Sequence, residues 1–213
     1  MTLYASEMAP YAYDENGRRV MAPSKGELRE KSILDEAEKQ LIAVGADAMT
    51  VESIATAAGL TRGALYFYFR SKNDVLAALV QRIVIELSGA VSTRQKALPN
   101  LPQDALLSAI DLTRDLWSRH GAVMRAAVEL SPSVPVIAQL WNGAREEIVE
   151  SLQALVVAAA VETPDGSSDE DALVRALVGM TERVFYDASV AGSSLRTASE
   201  TVATIWTRVL PFP

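Results

Sequence analysis

Positive charge and aromatic rings are concentrated in one short stretch of the sequence, residues 60–76. Four consecutive aromatic residues stand there beside three basic ones: Tyr66, Phe67, Tyr68 and Phe69 with Arg62, Arg70 and Lys72. Because successive side chains on a helix point about 100° apart, four adjacent rings cannot share one buried face. Guanidinium, ammonium and phenol groups on an exposed helix can bind phosphates and the edges of bases. The stretch therefore predicts a surface that contacts an anionic polymer.

Residues suited to catalysis or metal binding are scarce elsewhere. The chain has no Cys and a single His, His120, which we expect to cap a helix beside Gly121. No glycine-rich phosphate loop occurs, and Glu146, Glu147 and Glu150 are spaced as a solvated helix face. We therefore expect neither an enzyme nor a cofactor or metal, and an all-helical enzyme is kept only as an alternative.

The composition is that of a globular protein with an acidic balance. Of 213 residues, 49% are hydrophobic and 22% are charged, and the formal net charge is −7. The absence of Cys fits a reducing compartment, and the sequence shows neither a membrane span nor a signal peptide. We therefore expect a cytoplasmic protein without a membrane partner. No acidic residue occurs between Glu52 and Asp74, so we expect anion binding to be confined to a small patch.

Hydrophobic periodicity predicts helices throughout the chain. Residues 1–24 show no periodicity and are expected to form a flexible arm. A first helix follows and ends at Gly45, and two short helices capped by Thr50 and Thr61 come next. Ser71 opens a long fourth helix.

Five further helical segments are predicted: 103–119, 122–130, 135–160, 169–191 and 195–210. No stretch alternates in the manner of a strand, so the expected fold class is all-α with about nine helices. The helix lengths indicate two domains, a small one at residues 25–72 and a larger one at residues 73–213.

The second and third helices, joined by Gly59-Leu60, form a helix-turn-helix unit. Gly59 supplies the left-handed residue of the turn, and Leu65 anchors the third helix to the first two. We expect five residues on the outer face of the third helix: Thr61, Arg62, Gly63, Tyr66 and Phe67. Two ordinary short helices of a bundle are the alternative.

The segment TVESIATAAGLTRGALYFYFRSKNDVLAALV resembles the DNA-binding segment of the TetR family of bacterial transcription regulators. The family pattern, T-x-x-x-I-A-x-x-A-G-[VL]-[ST]-x-G-x-[LF]-Y-x-Y-F-x-S-K-x-x-L, is met at nearly every fixed position, and the match covers about residues 27–80. The resemblance implies an N-terminal DNA-binding domain of three helices. It also implies a C-terminal helical domain that binds a small ligand and dimerises.

The resemblance implies roles for individual residues. Contacts to bases and the adjacent backbone are implied for Thr61, Arg62, Gly63 and Tyr66, and contacts to phosphate for Thr50, Tyr68 and Lys72. Phe67 occupies a variable position of the family and Phe69 a position that keeps a buried aromatic. We expect Phe67 to contribute to DNA binding and also to turn partly inward beside Phe69.

The C-terminal half is similar to the branch of that family that contains the mycobacterial ethionamide-resistance repressor. The similarity is carried by LWSRHGAVMRA, by QLW around Trp141, by ALVGMTERVFYDASVAG and by VATIWTRVL. Thr181 stands where that branch carries an Asn facing its ligand cavity. The identity of the ligand is therefore not transferred.

A few large rings among many small residues predict an apolar cavity in the C-terminal domain. We expect its wall to include Trp117, Met124, Trp141 and Phe185, with a polar anchor supplied by Asn142, Thr181 or Glu182. For any single ring, ordinary core packing is the alternative. The expected ligand is a small, mostly apolar effector that is not strongly anionic.

The eighth and ninth predicted helices carry apolar stripes: Leu173, Leu177, Met180, Val184, Ala188 and Ala191, then Val202, Ile205 and Val209. We expect a homodimer through these helices, although the stripes can also face the chain's own core. Two recognition helices would then bind double-stranded operator DNA, and the effector would move the fourth helix and release a repressor. A carrier of apolar molecules is the other alternative.

Overall fold

The coordinates are a computed structural model that describes residues 11–13, 19–21, 24–97, 101–159 and 170–210. Within these residues the chain forms two strands and eight helices. They are β1 (Tyr11–Tyr13), β2 (Arg19–Met21), α1 (Lys25–Ala48), α2 (Val51–Ala57), α3 (Arg62–Tyr66), α4 (Lys72–Ala97), α5 (Pro102–Leu130), α6 (Pro135–Ala158), α7 (Glu170–Ala191) and α8 (Leu195–Val209). The all-helical class predicted from the sequence is confirmed, with one local exception.

The exception lies in residues 1–24, the segment predicted to be a flexible arm. Strands β1 and β2 pair antiparallel there, with Tyr11 opposite Met21, so the prediction that no strand occurs is wrong. A strand of three residues is too short to show an alternating pattern. The sequence signal that was available is Asn16-Gly17, a pair typical of hairpin turns. The rest of the predicted arm before Ser24 lies outside the described residues.

Local hydrogen bonds set the start of α1, and a glycine bends it near its end. Glu27 N donates to Ser24 Oγ at 3.1 Å, and Ser24 N donates to Glu27 Oε2 at 2.6 Å, which satisfies two otherwise unpaired donors of the first turn. Gly45 interrupts the helix with φ 76° and ψ 168°, a backbone conformation that glycine adopts and residues with a side chain rarely do. The predicted stop at Gly45 is therefore a bend, and helical backbone resumes as far as Ala48.

The N-terminal unit is built from α1, α2, α3 and the first turns of α4. Its core consists of fully buried aliphatic side chains: Ile33, Ala37, Ile54, Leu65, Val75 and Leu79. The predicted start of α4 is confirmed, because Asp74 N donates to Ser71 Oγ at 3.1 Å and Arg70 N donates to Asp74 Oδ2 at 3.0 Å.

Helix α5 is the centre of the larger domain and packs against α1, α4, α6, α7 and α8. It unites the two segments predicted as 103–119 and 122–130. His120 is non-helical, with φ −124° and ψ 23°, but Gly121 resumes the helix. The predicted helix end at His120 is thus a bend, so the described residues hold eight helices where about nine were predicted. The predicted eighth and ninth helices are α7 and α8.

Helices α7 and α8 form a hairpin. Gly192, with φ 64°, ends α7, and Ser193 N donates to Ala188 O at 2.9 Å. Ser194 then caps α8, accepting from Thr197 N at 3.2 Å. Among the described residues, none of the helices combines the length and apolar character that a membrane crossing requires.

Candidate nucleic-acid interface and apolar cavity

The turn between α2 and α3 is fixed by backbone bonds. Gly59 adopts φ 65°, which a side-chain-bearing residue rarely takes. Gly59 N donates to Thr56 O at 3.1 Å, and Leu60 N donates to Ala55 O at 2.8 Å. These bonds close the end of α2 and direct α3 across it. The predicted helix-turn-helix geometry is therefore present in the structure.

The two faces of α3 differ sharply in burial. Leu65 is fully buried and Phe69, just beyond the helix, is 6% exposed. The opposite face is exposed and consists of the five residues predicted there: Thr61, Arg62, Gly63, Tyr66 and Phe67. The short helix thus presents charge, hydroxyl groups and rings to the solvent from a rigid base.

Arg62 and Tyr66 form a paired unit on this face. Arg62 Nη2 donates to Tyr66 Oη at 3.1 Å, and Arg62 Nε donates to the same oxygen at 3.3 Å. The guanidinium carbon also lies 5.5 Å from the centre of the Tyr66 ring. The hydrogen bond to Tyr66 raises the pKa of Arg62 above its ordinary value, so the guanidinium stays charged. The contact with Tyr66 restricts the orientation of the Arg62 guanidinium group.

The structure corrects one expectation about the four rings. Phe67 does not turn inward, because its side chain is 86% exposed. It lies at the end of α3, and its ring meets Tyr68 edge-on at 5.4 Å. Phe69 fills the buried position, and Tyr68 is half-buried and packs against the edge of the core. The exposed ring belongs to the same surface as Arg62.

Thr50 and Thr61 precede α2 and α3, and the hydroxyl hydrogen of each is free to donate a further hydrogen bond. Thr50 Oγ1 accepts from Ser53 N at 3.0 Å, and Thr61 Oγ1 accepts from Ala64 N at 3.1 Å. Neither hydroxyl donates a hydrogen bond to another described residue. Each can therefore cap its helix and donate to a phosphate at the same time.

Lys72 has a contact that the sequence did not predict. Its Nζ donates to Ala46 O at 2.9 Å, across a sequence separation of 26 residues. That carbonyl belongs to the last turn of α1, where helical acceptors lack partners and attract cations. An ammonium group carries three N–H donors, so two remain for an anion. Lys72 thus ties the end of α1 to the start of α4.

A cavity of about 110 Å³ lies between α4, α5, α6, α7 and α8. Five of the seven residues predicted for it lie on its wall: Trp117, Met124, Trp141, Thr181 and Glu182. The sequence contains three tryptophans, and the third, Trp206, also lines the wall. All three tryptophan side chains of the sequence therefore line the cavity.

Two predicted wall residues lie elsewhere. Asn142 is exposed on α6, because the side chain that follows Trp141 points about 100° away from it. Phe185 is fully buried behind the wall and stacks on Trp117, with ring centres 6.5 Å apart and planes 12° apart. Asn142 thus lies away from the wall, and Phe185 supports the wall without lining it.

Sequence reasoning missed the contribution of α4 and most of α5 and α6. These helices add Ile83, Val84, Leu87, Leu106, Ala109, Ile110, Thr113, Leu116, Ala144, Arg145, Ile148 and Leu152, and α7 adds Val178. The apolar stripe of α4 was visible in the sequence. The sequence did not show which way that stripe faces, because the same apolar stripe can pack into a core or line a cavity.

The polar groups around the cavity bond to one another. Trp141 Nε1 donates to Glu182 Oε2 at 2.9 Å, and Trp206 Nε1 donates to Thr181 Oγ1 at 2.8 Å. Arg145 Nε lies 3.7 Å from Glu182 Oε2. Thr181 in turn donates to Leu177 O at 2.8 Å. Two of the predicted anchors, Thr181 and Glu182, are therefore held in fixed positions by indoles.

A polar cluster joins the N-terminal unit to the cavity domain. Arg82 of α4 pairs with Asp35 at 2.7 Å and with Glu38, both on α1. His120 of α5 lies between Glu38, at 2.7 Å, and Glu86, at 3.2 Å. The predicted capping role of His120 is therefore wrong. Its ring bridges α1 and α4 at the bend of α5.

The predicted dimer stripes on α7 and α8 divide between two faces. Leu177 is 6% exposed and Val202 is fully buried, so both face the chain's own core. The other stripe residues keep exposed area: Leu173, Met180, Val184, Ala188, Ala191, Ile205 and Val209. All of these except Ala191 are partly buried and also pack against the chain's own core, so only part of each side chain is available to a second copy.

The fold and these two sites define a helix-turn-helix protein whose C-terminal helices surround a largely apolar cavity. Residues 33–79 match the family model described as bacterial regulatory proteins, tetR family. The segment 33–79, which contains the helix-turn-helix unit, is therefore similar to the DNA-binding segment of the TetR family.

The chain is similar to two regulators called EthR. It is 30% identical to the HTH-type transcriptional regulator EthR of Mycolicibacterium smegmatis over 142 residues, which are 67% of this chain and 65% of that protein. It is 32% identical to EthR of Mycobacterium tuberculosis (strain ATCC 25618 / H37Rv) over 127 residues, 59% of this chain and 58% of that one. The matches thus span somewhat less than two thirds of these relatives.

Solved structures share the fold at low identity. The fatty acid degradation regulator FadR from Bacillus halodurans superposes with a TM-score of 0.72 at 18% identity, covering 86% of this chain and 96% of that one. SmeT, the repressor of the Stenotrophomonas maltophilia multidrug efflux pump SmeDEF, gives 0.67 at 21% identity, covering 85% and 89%. These likenesses establish the architecture alone.

Proposed function

We propose that this protein is a ligand-responsive transcriptional repressor that leaves its operator when a small, mostly apolar molecule enters the cavity. One observation carries the proposal: α4 belongs to both sites. Its first turns pack in the core of the helix-turn-helix unit through Val75 and Leu79, and Ile83, Val84 and Leu87 line the cavity. A change in cavity contents therefore acts on the helix that supports the DNA-binding unit.

On DNA, the outer face of α3 enters the major groove. Arg62 reads base edges, with Tyr66 fixing its direction, and the absence of a side chain on Gly63 permits close approach. Thr50, Tyr68 and Lys72 hold phosphates on either side, and Phe67 contacts the sugar-phosphate backbone or a thymine methyl group.

Binding requires two copies of the chain. A recognition helix of five residues offers too few contacts for operator affinity, so two must occupy grooves about 34–36 Å apart or a multiple of that distance. The outer face of α7 and α8 suits a symmetric four-helix interface. Light scattering should show a dimer, and Met180→Glu should give a monomer that keeps its helical content.

The effector acts by binding the two states differently. It releases DNA only if it binds more tightly to the conformation whose recognition helices are misplaced. An effector in the cavity pushes α4 away from α5 and α6. This movement changes the orientation of the N-terminal unit attached to α4. The separation of the two recognition helices changes with it.

The decisive experiment is DNase I footprinting with the intact protein on the DNA upstream of its own gene. A protected, two-fold symmetric site, lost when apolar compounds are added, is the expected result. Binding of apolar compounds with no sequence-specific footprint would instead favour a carrier, the alternative that shares the cavity. Absence of both activities would refute the repressor and the carrier together.

A further inference from the structure

The hydrogen bonds on the cavity wall leave few polar atoms free. The hydroxyl hydrogens of Thr113 and Thr181 go to carbonyls one helical turn earlier, at 2.9 and 2.8 Å. The indole N–H groups of Trp141 and Trp206 go to Glu182 and Thr181. These four donors are therefore unavailable to a ligand unless a protein bond breaks.

Glu182 keeps one free acceptor. Its Oε2 accepts a hydrogen bond from Trp141 Nε1 and lies 3.7 Å from Arg145 Nε. Its Oε1 has no hydrogen-bond partner among the described residues. The indole N–H of Trp117 and the terminal nitrogens of Arg145 also lack a hydrogen-bond partner among those residues, so they are free donors of the wall. A ligand hydroxyl or N–H group can donate to the free Oε1 of Glu182.

The charge beside the cavity is balanced. Glu182 is the acidic residue of the wall and Arg145 the basic one, and they lie 3.7 Å apart. A carboxylate ligand would lie beside Glu182, and an ammonium ligand would compete with Arg145. Burial of a net charge in an otherwise apolar space is costly. The wall therefore favours an uncharged ligand.

We propose that the cavity selects an uncharged, apolar molecule whose hydroxyl or N–H group donates to Oε1 of Glu182. The inference rests on the proposed function for the existence of an effector and adds its chemical class. The cavity volume of about 110 Å³ suits a single ring, since an apolar protein cavity of about 150 Å³ holds benzene.

Four one-ring probes test the proposal: benzyl alcohol, its isomer anisole, benzylammonium and benzoate. Binding to the full-length protein is followed by quenching of the three tryptophans and by calorimetry. Benzyl alcohol should bind about tenfold more tightly than anisole, since a hydrogen bond to a charged acceptor is worth that much or more. Both ions should bind more weakly than the alcohol.

The matched variants are Glu182→Gln and Glu129→Gln. The amide oxygen of Gln can still accept from Trp141, which leaves its NH₂ group, a donor, in the place of Oε1. Glu182→Gln should therefore remove or invert the preference between the two isomers. Glu129 accepts from Tyr186 at 3.0 Å and is absent from the cavity wall, so Glu129→Gln should keep the preference.

The failure of this inference is distinct from that of the repressor proposal. Equal affinity for the two isomers, or tightest binding of benzylammonium or benzoate, overturns the ligand class while leaving an effector cavity in place. Binding of none of the four probes overturns the ligand class. Whether any apolar compound releases DNA is decided separately by footprinting.

Discussion

Glu38 and His120 lie 82 residues apart in sequence, yet Glu38 Oε1 and His120 Nδ1 are 2.7 Å apart in space. Glu38 belongs to α1 of the helix-turn-helix unit, and His120 is the non-helical residue at the bend of α5. Trp117 and Met124, on either side of that bend, line the cavity. The contact is a second connection between the two sites, in addition to α4.

This pair should contribute measurably to stability. In a double-mutant cycle of Glu38→Gln and His120→Ala, urea unfolding should give a coupling free energy of about 1 kcal/mol or more, because both side chains are more than four-fifths buried. The same cycle on Arg196 and Glu200, an exposed pair within α8, should give about 0–0.5 kcal/mol. Equal coupling in the two cycles would contradict a structural role for the Glu38–His120 contact.

Loss of Lys72 should weaken binding to every DNA sequence alike. Under the proposed function Lys72 contacts a phosphate, so in Lys72→Ala the slope of log affinity against log salt should fall by about one unit per bound chain. The variant also loses the bond to Ala46 O, so its unfolding free energy must be measured beside its affinity. Arg196→Ala, on the exposed face of α8, is the matched loss of charge and should leave the slope unchanged.

Loss of Arg62 should instead reduce discrimination between sequences. Arg62→Ala should lower affinity for the operator by about 1–3 kcal/mol and barely affect random DNA. Tyr66→Phe should give a smaller loss in the same direction, because it removes only the hydroxyl that directs the guanidinium. Equal losses on operator and random DNA for Arg62→Ala would exclude a base contact.

Breaking the partly buried hydrogen bond between Trp206 and Thr181 should lower the stability of the protein. Thr181→Val keeps the shape of the side chain and leaves the Trp206 N–H unpaired, so unfolding should become easier by about 1–3 kcal/mol. Thr204→Val is the control, since Thr204 also bonds a carbonyl four residues earlier but is exposed. Similar losses for the two variants would show that the indole bond contributes little.

Protonation of Asp35 should contribute to the loss of stability at low pH. Burial opposes ionisation of this carboxyl, but hydrogen bonds from Lys31 and Arg82 outweigh it, and the pKa of Asp35 is lowered. A lowered pKa in the folded state stabilises the protein above the unfolded value of about 3.9, and this stability is lost as pH falls through the folded pKa. Asp35→Asn should therefore reduce the loss of unfolding free energy between pH 6 and pH 3. Asp187→Asn, an exposed carboxylate paired within α7, should change it less.

The parts of the protein that the sequence predicted are those governed by neighbours in the chain. The caps at Thr50, Thr61 and Ser71 are bonds across three residues, and the left-handed turn at Gly59 depends on that residue alone. The exposed face of α3 follows from helical periodicity. Such features are readable because the interacting atoms are close in sequence.

Tertiary packing decided the rest. The sequence could place Trp117 and Trp141 on helices, but only the packing of five helices sets which residues reach the cavity, and it left Asn142 outside and Phe185 behind the wall. The bond from Lys72 to Ala46 and the bridge from His120 to Glu38 join residues 26 and 82 positions apart. Contacts of that kind depend on how whole helices cross, which no local pattern specifies. The sequence alone determined the helix-turn-helix unit, and the fold determined how that unit is joined to the cavity.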